Sequence, residues 1–313
     1  MAEETLANRL RSGEVRALAR AIRMVEDRDP AVPRLLREVR GGAETAMITG
    51  LTGAPGSGKS TLCDQLIGHW RAAGHRVGVI AVDPSSPFTG GAILGDRVRM
   101  QRHTGDDGVY IRSMAARGHL GGLASAAREA IRLVAASGRD HCLLETVGVG
   151  QSELEVMQTA DTTIVVTTPS SGDAVQIIKA GILEIADIFV VNKADLPGAA
   201  RVYRELRDLV RQTKAHDDWQ PPVIQTEAST GKAVEELIEA IDAHQRTIAA
   251  TGELQRRRVR RLRAEVEAIV VERAAQRARR ALGSGELGVD DDTDLAKADP
   301  YLLAERILSE ASA

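Results

Sequence analysis

Gly53-Ala-Pro-Gly-Ser-Gly-Lys59-Ser60 matches the spacing G-x-x-x-x-G-K-[ST] in full. Gly53, Gly56 and Gly58 allow the backbone N–H groups around Ser57 to wrap an anion, and a helix starting at Lys59 adds partial positive charge. A Lys at position 59 suits the β and γ phosphates of a nucleotide, while the hydroxyls of Ser60 and Thr61 sit where a magnesium ion and phosphate oxygens would be met. The flanks agree: an apolar run, Ala46 to Leu51, precedes the loop, and Leu62, Leu66, Ile67 and Trp70 follow at helical spacing. A glycine-rich turn carrying a chance lysine would lack both.

A second motif, Asn192-Lys193-Ala194-Asp195, follows the apolar run Ile188 to Val191. A carboxylate at Asp195 can accept both N1–H and the 2-amino hydrogens of guanine, whereas adenine offers no donor at N1. Asn192 can bond the base edge, and the stem of Lys193 can cover a base face. Ala228, within Thr226-Glu-Ala-Ser-Thr230, either offers its N–H to guanine O6 or belongs to a plain turn. Together the two motifs select GTP and GDP.

Three carboxylates compete for the metal. Glu145 ends the run Cys142-Leu-Leu144, Asp83 ends Val79-Ile-Ala-Val82, and Asp96 lies in the glycine-rich stretch beyond it. Magnesium keeps several waters and takes few protein ligands, so some of these carboxylates act through water or orient the nucleophile. Each could instead be a helix cap or a surface charge. Gly148 is followed by Val149, not by a water-positioning Gln, so intrinsic hydrolysis is expected to be slow.

These residues must be positioned by strands that alternate with helices. Further strand candidates are Val77 to Val82, Val109 to Arg112, Thr163 to Thr167 and Val223 to Thr226. Near-continuous apolar strands separated by helices imply an α/β fold: a mostly parallel sheet covered on both faces, with ligands at the strand C-termini. Before the sheet, Leu6, Leu10, Val15, Leu18, Ile22 and Val25 recur at helical spacing, with a stop at Asp29-Pro30 and a hinge at Gly41-Gly42. The expected organisation is an N-terminal helical arm at 1–42, a nucleotide domain at 43–250 and a C-terminal helical extension at 251–313.

The chain has 313 residues, 43% hydrophobic and 27% charged, enough for a sizeable core and outside the disordered class. Its 41 basic and 44 acidic residues leave a net charge of −3, which gives no general pull toward nucleic acid. With aromatic residues at 2%, stacking platforms for single-stranded bases are not expected. Cys63 and Cys142 stand apart without metal-site spacing. No apolar run is long enough for a membrane span, and the acidic start at Glu3-Glu4 is unlike a leader, so a cytoplasmic location is expected.

The motifs together resemble a known family. They are Gly53 through Thr61, Val82-Asp-Pro-Ser-Ser-Pro-Phe-Thr-Gly-Gly91, Ile93-Leu-Gly-Asp-Arg97, Arg112-Ser-Met-Ala115, Arg117-Gly-His-Leu-Gly-Gly122, Glu145-Thr-Val-Gly-Val-Gly-Gln-Ser152 and Asn192-Lys-Ala-Asp195. The set is similar to the MeaB/ArgK/MMAA group of P-loop GTPases. That resemblance implies a GTPase chaperone for an adenosylcobalamin-dependent acyl-CoA mutase, usually methylmalonyl-CoA mutase, that gates cofactor delivery and protects the mutase. It assigns Lys59 and Ser60 to phosphate and magnesium, Asp83 and Asp96 to a first switch and Glu145 to a second. Thr168 to Lys179, with Asp173, Gln176 and Lys179, corresponds to a third switch facing the partner. Read from residues alone, that stretch is equally a solvated helix start after Pro169-Ser-Ser-Gly172. Lys59, Glu145, Asp96 and Lys179 are the candidates for acting on the reaction. The Asp-x-His-x-x-Gly pattern of many cobalamin proteins is absent, and His103, His119 and His141 stand singly, so the vitamin is expected on the partner. Rival readings are a kinase of amino-acid transport, a metallochaperone GTPase and a scaffold that holds GTP as a structural ligand.

Residues 256 to 280 carry ten Arg and three Glu, a local charge of about +7. Val259, Leu262, Val266 and Ile269 form a short a/d seam, which points to a homodimer arm. A solvated helix and a polyanion-binding helix are the other readings.

Overall fold

Seven short segments rich in Val, Ile, Leu and Thr pair into one sheet, and every pairing between neighbours is parallel. They are β1 (Met47–Thr52), β2 (Val77–Asp83), β3 (Val109–Ala115), β4 (His141–Thr146), β5 (Thr162–Thr167), β6 (Ile188–Asn192) and β7 (Val223–Thr226). Their order across the sheet is β3-β2-β4-β1-β5-β6-β7, which places β1 centrally with β4 and β5 as neighbours. This computed structural model describes residues 5–42, 46–83, 100–103, 105–115, 120–146, 157–169, 182–213, 218–283 and 299–309.

The chain divides into two compact units, residues 1–255 and 256–313. In the first unit, helices cover both faces of the sheet, because β-strands buried on both sides need apolar partners on each. The helices before and between the strands are α1 (Leu6–Arg11), α2 (Val15–Glu26), α3 (Val32–Val39), α4 (Lys59–Ala72), α5 (Leu120–Ala136), α6 (Ile182–Ile185), α7 (Ala199–Thr213) and α8 (Val234–Ala250). One face, formed by Ile48, Ile80, Val82, Cys142 and Leu144, shares a core with α1, α2, α3 and α5. On the opposite face, Leu51, Val79, Leu143, Ile164 and Val190 pack against Leu62, Leu66, Ile67 and Trp70 of α4 and Leu237 and Ile241 of α8. Val165, Phe189 and Val191 form a third cluster with Val202, Leu206 and Val210 of α7.

The N-terminal helices are packed more deeply than periodicity alone suggests. Leu10, Leu18, Ile22, Val25, Leu35 and Val39 are buried in the same core as Ile80 and Leu144. Val15 departs from the expected stripe and is 41% exposed. The reason is a break: Gly13 adopts φ +83, a left-handed turn that ends α1 and resets the helical phase before α2. A part-buried ion pair between Glu26 of α2 and Arg112 of β3 adds a polar tie between this layer and the sheet edge.

The second unit holds α9 (Glu253–Gly283) from residue 256 onward and α10 (Pro300–Ser309). Ala281 and Ile307 form its small buried cluster, flanked by Ala278 and Leu303. Val259, Leu262, Val266, Ile269, Val270 and Val271 are exposed along α9. Among the described residues, no helix is long and apolar enough to cross a membrane.

Candidate functional site

The loop from Gly53 to Gly58 joins the C-terminal end of β1 to the N-terminus of α4. Its shape depends on two glycines. Gly53 has φ +143, and a Cβ there would lie 2.0 Å from the carbonyl oxygen of Val166 in β5. Gly58 has φ +91, and a Cβ there would lie 2.2 Å from the side-chain nitrogen of Asn192. Both neighbours belong to adjoining strand ends, so a larger residue would push the loop off the sheet. At Gly56, φ +77, a Cβ would meet open space, which leaves that side of the loop accessible.

Inside the loop, Lys59 is 5% exposed and its ammonium donates to the carbonyls of Gly53 at 2.8 Å and Ala54 at 3.0 Å. A cation is thereby held at the loop mouth. Ser60, one residue on, donates its hydroxyl to Glu145 Oε1 at 2.7 Å. Glu145 reaches this position because β4 pairs with β1 in the register Leu51↔Glu145. Both side chains are buried, and the following pair, Thr146 and Thr52, makes a hydroxyl contact of 3.2 Å behind them. Ser57 is buried, with its N–H on the Ala54 carbonyl at 3.1 Å, and Thr61 lies half-buried in the first turn of α4.

Asn192, at the end of β6, bridges three elements. Its Nδ2 donates to the Ser57 carbonyl at 2.8 Å, and its Oδ1 accepts from the Thr226 hydroxyl at 3.1 Å and the Ala228 N–H at 3.0 Å. The Ala228 N–H considered for a base oxygen is therefore directed at Asn192. Gln65 of α4 donates to the Ala228 carbonyl at 3.0 Å and closes the ring of contacts. Lys193 follows with φ +57 and is exposed, as is Asp195. The structure thus gathers Gly53, Gly56, Ser57, Gly58, Lys59, Ser60, Glu145, Asn192 and Ala228 at the C-terminal edge of the sheet, with Lys193 and Asp195 on the turn beyond β6.

Asp83 closes β2, two positions past Ala81, which pairs with Glu145. Asp96, Gly148, Asp173, Gln176 and Lys179 lie outside the described residues. The bridging role of Asn192 and the contact of Gln65 were not evident from sequence, because each joins residues far apart in the chain. His141, which stands singly in the sequence, stacks on Trp70 with ring centroids 4.2 Å apart. Burial, with the neighbouring His75, pushes its pKa down to about 4. Burial likewise pushes the Cys142 thiol up to about 12, so it stays protonated and inert.

For a divalent cation, Ser60 and Glu145 supply a hydroxyl and a carboxylate, hard oxygen donors of the kind magnesium prefers. Among the described residues, no group of three or more His, Cys, Asp or Glu side chains is placed to hold a metal. A hydroxyl and a carboxylate suit an ion that takes few protein ligands and keeps several waters.

A parallel sheet with a phosphate loop between its central strand and the next helix, and an Asn-Lys-x-Asp turn two strands away, defines a P-loop GTPase. The chain belongs to the MeaB family: the family profile described as "Methylmalonyl Co-A mutase-associated GTPase MeaB" matches residues 18–282. A putative GTPase of Pyrococcus horikoshii is 46% identical over 312 residues, covering 98% of each chain. The "Methylmalonic aciduria type A homolog, mitochondrial" of Mus musculus is 36% identical over 278 residues, covering 82% of this chain and 67% of that one. Among solved structures, a protein titled "LAO/AO transport system kinase" superposes with a TM-score of 0.70 at 27% identity, covering 98% of this chain and 97% of the other.

Proposed function

We propose that this GTPase acts as a magnesium-dependent chaperone of an adenosylcobalamin-dependent acyl-CoA mutase, with methylmalonyl-CoA mutase as the first candidate. The observation that carries the reading is the match to a mutase-associated GTPase family over residues 18–282, on a chain that keeps the Ser60–Glu145 pair at the phosphate loop. In this reading Lys59 draws the β and γ phosphates into the loop with Gly53, Gly56, Ser57, Gly58 and Thr61 around them. Asp195 accepts the guanine N1–H and 2-amino hydrogens, the Lys193 stem covers the ring, and Asn192 ties the base side to the loop while Ala228 shapes the wall. Magnesium, when bound through Ser60, Glu145, Asp83 and Asp96 directly or through water, supplies charge neutralisation at the phosphates.

Water attacks the γ-phosphorus in line, the bond to the β–γ bridging oxygen breaks, and GDP and inorganic phosphate leave. Val149, not Gln, stands directly after Gly148 to face that water, so slow turnover without a partner is the expected resting state. Asp173, Gln176 and Lys179 are assigned to the surface that meets the mutase and completes the site. The exposed apolar positions Val259, Leu262, Val266 and Ile269 of α9 support a homodimer arm within residues 251–313. The cytoplasm is the compartment this reading assigns.

Affinity capture of the chain loaded with a non-hydrolysable GTP analogue tests the proposal: a cobalamin mutase should co-elute and should raise GTP turnover. The solved structure titled as a transport-system kinase favours a second reading. Transfer of labelled γ-phosphate to a protein acceptor, without a mutase effect, would select it.

A further inference from the structure

The turn that joins β7 to α8 is folded on itself. The Glu227 carbonyl accepts the Thr230 and Gly231 N–H groups, each at 3.0 Å, and the Thr230 hydroxyl at 3.1 Å. The Glu227 N–H donates to the Lys232 carbonyl at 3.2 Å, and the side chains of these two residues pair. Gly231, φ +78, supplies the left-handed step that the reversal needs. These contacts stiffen the turn. They do not fix where it sits against the sheet and its helices.

That position is set at Ala228. Its N–H goes to Asn192 Oδ1, and its carbonyl accepts Gln65 Nε2 of α4 at 3.0 Å. A Cβ on Gly231 would lie 3.4 Å from Gln65 Oε1, so the same amide also lies against the far end of the turn. The Ala228 methyl is buried in the core that holds Leu62 and Leu66. Beside the turn, the Ala194 N–H donates to the Thr226 carbonyl at 3.0 Å, which joins the Asn192 to Asp195 segment to the end of β7. The Lys232 ammonium has its pKa raised first by the hydrogen bond to Glu227, and the Asp195 carboxylate adds to the effect. Asp195 therefore lies within electrostatic reach of the turn. Gln65 stands six residues after Lys59, about 9 Å along the axis of α4. One helix thus carries the phosphate-loop lysine at its start and, further on, the hold on the turn beside the base motif.

We infer that Gln65 is a positioning residue for the guanine base: by donating to the Ala228 carbonyl it holds the 227–232 turn against the Asn192 to Asp195 segment, ready for the nucleotide. Without that donor a part-buried carbonyl loses its partner. The turn must then be ordered as the base arrives, and the ordering is subtracted from the binding free energy. Lys59 and the Ser60–Glu145 pair keep their own contacts at the start of α4, so the phosphate and metal end does not depend on Gln65. This inference rests on the GTPase reading above.

The test uses the full chain and measures GTP turnover over titrations of GTP and of magnesium. Chemistry is expected to be slow, so KM reports nucleotide affinity. Gln65→Ala should raise KM for GTP about tenfold, with kcat and the magnesium half-saturation point held within about twofold. Alanine is at least as good a helix former as glutamine, so α4 itself is retained. Gln65→Glu keeps the length of the side chain but turns only oxygens toward the Ala228 carbonyl, and it should raise KM at least as far. An unchanged KM in Gln65→Ala, a magnesium half-saturation point that moves as far as KM, or full affinity in Gln65→Glu would overturn the positioning role. Absence of GTP turnover in the unaltered chain would instead overturn the GTPase reading itself.

Discussion

Asn192 Nδ2 donates to the backbone carbonyl of Ser57 across 2.8 Å, joining the end of β6 to the phosphate loop over a separation of 135 residues. The same side chain receives Thr226 and Ala228, so three segments that would surround a nucleotide are held by one amide.

Asn192→Ala should therefore weaken both GDP and GTP. It removes three hydrogen bonds in a buried position, and an unsatisfied buried partner costs about 1–3 kcal/mol. Titration with fluorescent GDP should show affinity reduced about tenfold to a hundredfold. Affinity equal to that of the unaltered chain would mean that Asn192 does not organise the loop.

Ser60 and Glu145 supply the second test. Glu145→Gln preserves shape and an acceptor but removes the charge, so the requirement for magnesium should rise about tenfold while the fold is retained. Ser60→Ala should raise it similarly, and Ser60→Thr, which keeps a hydroxyl, should recover part of the activity. Turnover measured over a magnesium titration gives the comparison, and an unchanged half-saturation point in both Glu145→Gln and Ser60→Ala would remove the pair from the metal site.

Selectivity for the base rests on Asp195. Asn at that position presents a donor where the carboxylate offered only acceptors, so it faces the guanine N1–H and 2-amino group poorly and suits an oxygen at C2. Asp195→Asn should lose about a hundredfold in GTP affinity and gain relative affinity for xanthosine triphosphate. Competition between the two nucleotides reads the ratio, and a ratio that does not move would place the base elsewhere.

Legibility in the sequence followed the range of each interaction. The phosphate loop and the Asn192 to Asp195 turn could be read directly, because contiguous residues must meet a phosphate or a base in fixed order. The strands were readable for a related reason: burial on both faces gives short apolar runs closed by polar residues, such as Ile188-Phe-Val-Val191 between Asp187 and Asn192. Glu145 was placed near the phosphates by its position at a strand end. The contact between Asp64 and Arg102, and that between Gln65 and Ala228, carry no local pattern, since each depends on how two distant segments are folded together. The same is true of α2, whose apolar stripe declares a buried face without saying that the sheet layer of Ile80 and Leu144 receives it.

His141 makes stability pH-dependent in a defined window. Its folded pKa is lowered to about 4 by burial and by His75, against 6.5 for the free group. Between these values the unfolded chain binds a proton that the folded chain does not, so stability rises with pH through this window. The contribution is complete above about pH 6.5 and is lost as the pH falls toward 4. Partial solvent access at the ring reduces the full linkage value to roughly 2 kcal/mol. His141→Phe keeps an aromatic ring over Trp70 while removing the titration. Thermal unfolding at pH 7.5 and pH 5.0 should therefore show a drop of several degrees in Tm for the unaltered chain and a smaller drop for the variant. Equal drops in the two chains would assign the acid sensitivity to other groups, and His75→Ala, which removes the neighbouring imidazole, should lessen the drop without abolishing it, because burial is the larger cause.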